Sequence, residues 1–276
     1  MRSQRIVLNL FLVAACFIAV YPFLVMLFGS FKDGGQITAN PAGIPTAPTV
    51  DNFVDLLTGR TGAIVWRALL NSVIVTVPYT ALTVLISSMA GYAFARYDFR
   101  GKRVLFGVLI ASMLVPIEVN IPTMYAMFAQ IDWLNSYQVQ IVPGTASVIS
   151  MFMARQFMEG LPGEVFEAAR VDGAGHWRSF WRIGLPMSAP VLGAIAVLTF
   201  VAKWSDYLWP RIMTSDPAVQ TFMVLLPALG SGDNANIIRI ETLLAGAVLI
   251  VLPLVLVFLR FQNNLMNGVT GGAVRG

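Results

Sequence analysis

The chain is poor in charge, nearly without cysteine and histidine, and has no phosphate-binding loop. Only 12% of its 276 residues are Asp, Glu, Lys or Arg, about half of the roughly 25% usual in a soluble domain. The single Cys16 excludes an intrachain disulfide, and the single His176 has no cysteine pair near it to suggest a metal site. No G-x-x-x-x-G-K-[ST] segment occurs, so the chain carries no Walker-type ATP site. It also lacks the nucleophile-and-base arrangement or metal set on which a membrane enzyme would rest. Its net charge of +4 is spread loop by loop with no aromatic-interleaved patch, which points to membrane topology and away from nucleic acid.

What the chain has is apolar length. It is 57% hydrophobic, with a mean hydropathy of +0.73. A helix needs about 20 apolar residues to cross the ~30 Å hydrocarbon core, and six segments qualify: Leu8 to Phe31, Leu69 to Ala95, Val104 to Gln130, Tyr137 to Met158, Leu185 to Pro210 and Thr242 to Phe261. An all-α polytopic membrane protein with six transmembrane helices is predicted. Val13-Ala14-Ala15-Cys16 has the look of a lipoprotein cleavage box, but the apolar run continues to Phe31, so the first span reads as an uncleaved helix.

An even number of spans leaves both ends on one side. Twelve Lys and Arg residues fall on that side and five on the other, with Lys203 inside the fifth span. The positive-inside rule therefore puts both termini in the cytoplasm. The Pro-, Gly- and Thr-rich stretch 32–66 reads as an irregular external loop, with a short helix near Val50 to Leu57 and Asp51 as its N-cap. No internal repeat or low-complexity linker appears. The organisation expected is an N-terminal helix and external loop, 1–66, followed by one membrane core, 67–276.

Residues 164–186 form a polar island between two apolar spans, on the cytoplasmic side of this topology. Glu164, Glu167, Ala168 and Arg170 favour a helix, the acids sit early where they suit its dipole, and Gly173 and Gly175 end it. A second helical stretch starts near Trp177. There Trp177, Phe180 and Trp181 share one face, suited to the membrane interface, and Arg178 and Arg182 share another. Small Ala168 and Ala169 permit close approach by another protein. Composition favours a docking element, yet an ordinary cytoplasmic connection has the same character.

The spacing of the island adds to this. Glu167-Ala168-Ala169, Gly173, Ile183 and Leu185-Pro186, with Leu161-Pro162 upstream and Asp172-Gly173-Ala174 between, resembles the EAA signature of permease subunits in bacterial ATP-binding cassette importers of the carbohydrate-uptake subfamily. Asn71-Ser72, Tyr92-Ala93-Phe94-Ala95-Arg96, Trp204-Ser-Asp-Tyr-Leu-Trp-Pro210 and the Gly-rich ending from Gly268 resemble further family motifs; the family often has Asn where this chain has Ser205. The run from Pro116 to Thr123 is similar to that of glycerol-3-phosphate-type permeases, and oligosaccharide importers carry similar runs.

This resemblance implies a type I importer permease fold in the bacterial plasma (inner) membrane. The partners implied are a homologous second permease, two copies of a nucleotide-binding ATPase subunit and an external solute-binding protein. ATP would be bound by the partner subunits and this chain would hold no cofactor. Residues 164–186 would contain a coupling helix seated in the ATPase, with Glu167, Ala168, Ala169, Arg170, Asp172, Gly173 and Ala174 at the contact. The tail from Gly268 is implied to touch the ATPase as well.

Polar groups at membrane depth are the second feature. Glu118 lies near the middle of the third span between Pro116 and Pro122. An acid there costs about 2.5–3.5 kcal/mol to insert, so it should face a cavity, a partner or the bundle interior. With Asn120 and Thr123 it is a candidate wall of a solute pathway, or else a structural hydrogen-bonding group. Lys203 and Asp206 can pair three residues apart, with Lys203 snorkelling outward. Trp204, Tyr207 and Trp209 suit either an interfacial aromatic belt in contact with membrane lipid or stacking on a sugar ring. A self-sufficient secondary transporter or channel is the alternative class, for which more carboxylates at depth and visible repeat symmetry are expected.

Overall fold

A computed structural model describes residues 2–229 and 239–270, with side chains for 4–229 and 239–262. The helices are α1 (Arg2–Ser30), α2 (Gly34–Ala39), α3 (Asp51–Thr58), α4 (Gly62–Arg96), α5 (Lys102–Ser112), α6 (Ile117–Gln130), α7 (Tyr137–Ile141), α8 (Val148–Glu159), α9 (Gly163–Val171), α10 (His176–Ser179), a π-helical turn at Phe180–Gly184, α11 (Leu185–Met187), α12 (Ala189–Trp204), α13 (Leu208–Met213), α14 (Phe222–Leu229) and α15 (Ile240–Thr270). No strand occurs among the described residues. The chain divides into two compact units, residues 1–69 with 222–253, and residues 70–221 with 254–276.

Where six spans are expected, the third of them with helix-breaking prolines at 116 and 122, three helices are long and apolar enough to cross a membrane unbroken, within Gln4–Ser30, Gly62–Arg96 and Ile240–Gln262. Two further candidates are bent pairs: α5 and α6 meet at 95°, and His176–Met187 meets α12 at 75°. The expected span Tyr137 to Met158 is instead two short helices, α7 and α8, separated by residues 142–147. Proline and glycine account for the breaks. Pro116 takes ψ 134° ahead of α6, Gly144 takes φ +84° between α7 and α8, and Pro186 and Pro190 flank the bend at Ser188. Glu118 thus lies in the first turn of α6, directly after a break, and not mid-helix.

The first unit holds a folded cap where an irregular loop is expected. Gln36 knits it: its Nε2 donates to Asp33 Oδ2 (2.9 Å) and to the Ala47 carbonyl (2.9 Å), and its Oε1 accepts from the Thr46 amide (2.9 Å). Lys32 is buried with Nζ donating to the Asn40 carbonyl at 2.6 Å, and buried Asn52 donates to the carbonyls of Ser30 and Lys32. Asp51 does not cap α3. Val50 holds that position and Asp51 is the first helical residue, its own amide met by Thr49 Oγ1. Asp33 is the side-chain cap that forms, on α2. The Gln36 amide, then the Gln36 backbone N–H, hold its carboxyl below the usual range. The stability this gives is present above the ordinary carboxylate range and is lost as pH falls through the lowered value.

Gln36→Ala removes five side-chain hydrogen bonds at once, and each typically contributes about 1 kcal/mol or less at an exposed site. The expected result is faster proteolytic nicking between residues 32 and 50 at neutral pH, with the core helices unaffected.

In the second unit α4 packs closely on α8. A Cβ built on Gly91 would stand 2.7 Å from the Ala154 Cβ and 2.9 Å from the Arg155 amide nitrogen. Ala154 also meets Val191, Leu192 and Ile195 of α12 in one buried cluster. Asn71 ties distant loops together: its Nδ2 donates to the carbonyls of Ala218 and Gln220, and its Oδ1 accepts from the Tyr137 hydroxyl at 2.7 Å.

Candidate functional site: a docking helix and a polar cleft

The polar island folds as the short helix α9, a bend and a second helical stretch. Pro162 precedes α9, Glu164 sits in its first turn and Arg170 in its last, each on the side of the dipole that favours it. The helix ends in a Schellman motif: Gly173 takes φ +78°, its N–H donates to the Arg170 carbonyl (3.0 Å), and the Ala174 N–H reaches back to the Ala169 carbonyl (2.8 Å).

One residue of α9 anchors it. Phe166 is buried among Tyr92, Met158 and Phe180, with the Arg96 guanidinium 4.2 Å above its ring. Arg96 Nη2 also donates to the Leu161 carbonyl at 2.8 Å. Glu164, Val165, Glu167, Ala168, Arg170, Asp172 and Gly173 are exposed, and Ala169 and Ala174 are half-buried. The helix therefore presents charged and small groups, together with Val165 and Val171, outward from a single aromatic root.

Beyond the bend the aromatic face is divided. Trp177 and Trp181 are exposed, but Phe180 is 3% exposed and belongs to the core, since the π turn that starts there rotates it inward. Gly184 closes that turn where a Cβ would lie 2.7 Å from the Tyr92 ring. Sequence reading missed this contact. His176 is exposed and lies edge-on to Tyr97 with ring centroids 5.0 Å apart.

The second feature is a cleft of about 420 Å³ in the second unit, lined by Glu118, Ile121 and Met124 of α6, Tyr79 and Thr83 of α4, Ser147 and Ser150 near the start of α8, and Lys203, Asp206 and Trp209. Lys203 Nζ pairs with Asp206 Oδ2 at 3.0 Å and lies 4.9 Å from the centroid of the Tyr79 ring. Lys203 is buried and does not snorkel outward as expected. The helix break at Ser205 turns Asp206 back onto it. Tyr79 donates its hydroxyl proton to the Gly144 carbonyl at 3.1 Å, and the buried Thr83 lies beside it.

Of the expected pathway residues, the cleft takes Glu118 and Asp206. Asn120 and Thr123 are exposed and absent from its lining, since α6 turns about 100° per residue and the lining face carries 117, 118, 121 and 124. Trp204 is buried and stacked on Phe200 at 5.6 Å, while Tyr207 is exposed outside the cleft. Trp209 is no free belt residue. Its indole N–H donates to the Val139 carbonyl at 2.8 Å and its ring meets Phe128 edge-on. Tyr79 and Thr83 went unnoticed in the sequence, although the hydroxyl residues 72, 76, 79, 80, 83 and 87 recur at helical spacing along α4.

Among the described residues no group of His, Cys, Asp or Glu is placed to hold a metal ion. Residues 271–276 of the expected ATPase-contacting tail lie outside the described residues.

Three apolar helices long enough to cross a membrane, two bent apolar helix pairs, a polar cleft and an exposed polar helix between apolar segments are the features of a multi-pass membrane protein. Residues 83–271 match the family described as binding-protein-dependent transport system inner membrane component, and the chain belongs to that family of permease subunits, which are not enzymes. It is 32% identical over 265 residues to the arabinooligosaccharides transport system permease protein AraQ of Halalkalibacterium halodurans, covering 94% of this chain and 92% of that one. It is 28% identical over 271 residues to the sn-glycerol-3-phosphate transport system permease protein UgpE of Yersinia pestis, covering 97% and 96%. Its fold is that of a chain in the crystal structure of a bacterial ABC transporter involved in the import of the acidic polysaccharide alginate, with a TM-score of 0.82, 19% identity and coverage of 95% and 96%.

Proposed function

We propose that this chain forms one half of the membrane pathway of an ATP-driven importer for a carbohydrate or glycerol-phosphate solute and receives its driving motion through α9. The observation that carries this is the construction of α9: exposed charged and small residues with the apolar Val165 and Val171 among them, on a helix rooted in the core by Phe166 alone. Such a helix transmits a push on its outer face to α4 and the π turn through the Tyr92 and Arg96 contacts. Glu167, Ala168, Ala169, Arg170, Asp172, Gly173 and Ala174 form the contact with a separate ATPase subunit, present in two copies. A homologous permease supplies the other half of the pathway, and an external solute-binding protein delivers the solute. Both termini and α9 are cytoplasmic, as the twelve-to-five distribution of Lys and Arg supports.

Glu118, the Lys203–Asp206 pair and Trp209 form this chain's share of the pathway wall. Their mixture of charge, hydroxyls and one aromatic ring suits a polyhydroxylated solute, and the named solutes of the relatives are of that kind. The test is reconstitution of this chain with candidate permease, ATPase and solute-binding subunits from the same organism, followed by uptake of arabinotriose and of sn-glycerol 3-phosphate. ATP-dependent uptake of at least one is expected. Uptake that proceeds without ATP would refute the coupling role.

A further inference from the structure

The groove where α4 gives way to α5 has the makings of a phosphate site at the membrane surface. It measures about 350 Å³ and is lined by Phe94, Asp98, Lys102, Arg103, Phe106 and Arg155. Its floor is aromatic: Phe106 lies 5.5 Å from Phe94 and stacks on Phe152 at 6.2 Å. The Arg155 guanidinium sits 3.9 Å above Phe106, held from one side by Glu159 at 2.6 Å, and its Nε is buried without a partner.

The cations outnumber their partners. Lys102 pairs with Asp98 at 3.2 Å, and Arg103 makes no ion pair among the described residues. Lys102 and Arg103 are also the first two residues of α5, an 11-residue helix that opens at Gly101 (φ +81°) with no side-chain cap. Its positive dipole end adds to the field of the two side chains. The same helix then exposes Val104 (72%), Leu105 and Val108 (60%) and carries no acidic residue. A ligand seated here meets cations at one end and an outward-facing apolar helix at the other, at the junction of two apolar segments that fixes this level as the headgroup region.

We infer that this groove holds the headgroup phosphate of an anionic phospholipid, its acyl chains lying along the exposed face of α5. Phosphate oxygens meet Arg103 and the free edge of Arg155 while Phe106 shields them from bulk water. The inference draws on the family's membrane setting and not on the coupling role of α9.

The full chain is placed in nanodiscs of equal parts phosphatidylglycerol and phosphatidylcholine, extracted in detergent, and the lipid that remains bound is identified by native mass spectrometry. Retention of phosphatidylglycerol over phosphatidylcholine is expected. Arg103→Gln, at an exposed position, is expected to lower that preference on the order of fivefold, and Arg155→Gln at least as much. Arg5→Gln makes the same charge change on α1 and is expected to leave the preference unaltered. Equal retention of the two lipids, or an equal loss in Arg5→Gln, overturns the site. Displacement of the lipid by inorganic phosphate in the wash also overturns it, because the groove would then be a site for the free anion.

Discussion

Asp206→Ala is expected to destabilise the chain by about 3 kcal/mol, the low end of the cost of stripping one partner from a buried ion pair. Lys203 is the reason. Its side chain is 6% exposed and its ammonium has Asp206 at 3.0 Å as its paired carboxylate, whereas Asp206 is 23% exposed and water can take over part of its role. Removing the lysine is therefore the milder change. Lys203→Met leaves a carboxylate that water reaches, and the combined Lys203→Met, Asp206→Leu variant removes both charges and is expected to recover most of the lost stability. Thermal unfolding of the purified chain in detergent, read for the four proteins as a double-mutant cycle, measures the coupling. Unchanged stability in Asp206→Ala would mean that the ammonium finds a second carboxylate, and Glu118 is the other acid that lines the cleft.

The pair also bears on how far the sequence could be read. A Lys and an Asp three residues apart suggest a helical pairing, but α12 ends at Trp204 and the contact forms across the helix end. Its partners in the cleft come from α4, α6 and the start of α8, through contacts that no local spacing reports. Tyr79 reaching Gly144 is one; outside the cleft, Asn71 joining Tyr137 to the carbonyls of Ala218 and Gln220 is of the same kind. Hydropathy located the apolar segments because burial in lipid depends on composition over about 20 residues. It could not see the breaks at Gly144 and Ser188, which interrupt direction and leave composition intact, whereas at Pro116 the helix-breaking proline itself marks the break. Helix α9 was legible for the opposite reason: its ends are set by local chemistry, an early acid and a glycine with positive φ, and both kinds of signal lie within a few residues of the helix they bound. Gln36 shows the limit of composition in loops, since a Pro- and Gly-rich stretch became a folded cap through one amide side chain placed where five backbone and side-chain groups converge.

The proposed coupling role predicts three separable outcomes on α9. Phe166→Ala deletes a buried aromatic ring packed on Tyr92 and beneath Arg96, a change that typically costs about 3–5 kcal/mol. The helix loses its root, so both stability and transport are expected to fall. Glu167→Arg alters an exposed side chain, so the chain should unfold at the wild-type temperature. If α9 docks on the ATPase, the same change loses about 2 kcal/mol of docking energy, roughly a thirtyfold fall in affinity for the ATPase subunits. Gly173→Val falls between them. Nothing lies within 4 Å of its Cβ, so the change introduces no clash, but φ +78° costs a β-branched residue at least 1–2 kcal/mol, and the Schellman closure to Ala169 and Arg170 should open. Fraying of the last turn would carry Asp172 and Ala174 out of register with the partner. Thermal unfolding of the chain alone, set beside co-purification with the ATPase subunits and solute-stimulated ATP hydrolysis, separates the three. Wild-type co-purification and hydrolysis in both Glu167→Arg and Gly173→Val would sink the assignment of α9 as the docking element, whatever Phe166→Ala does.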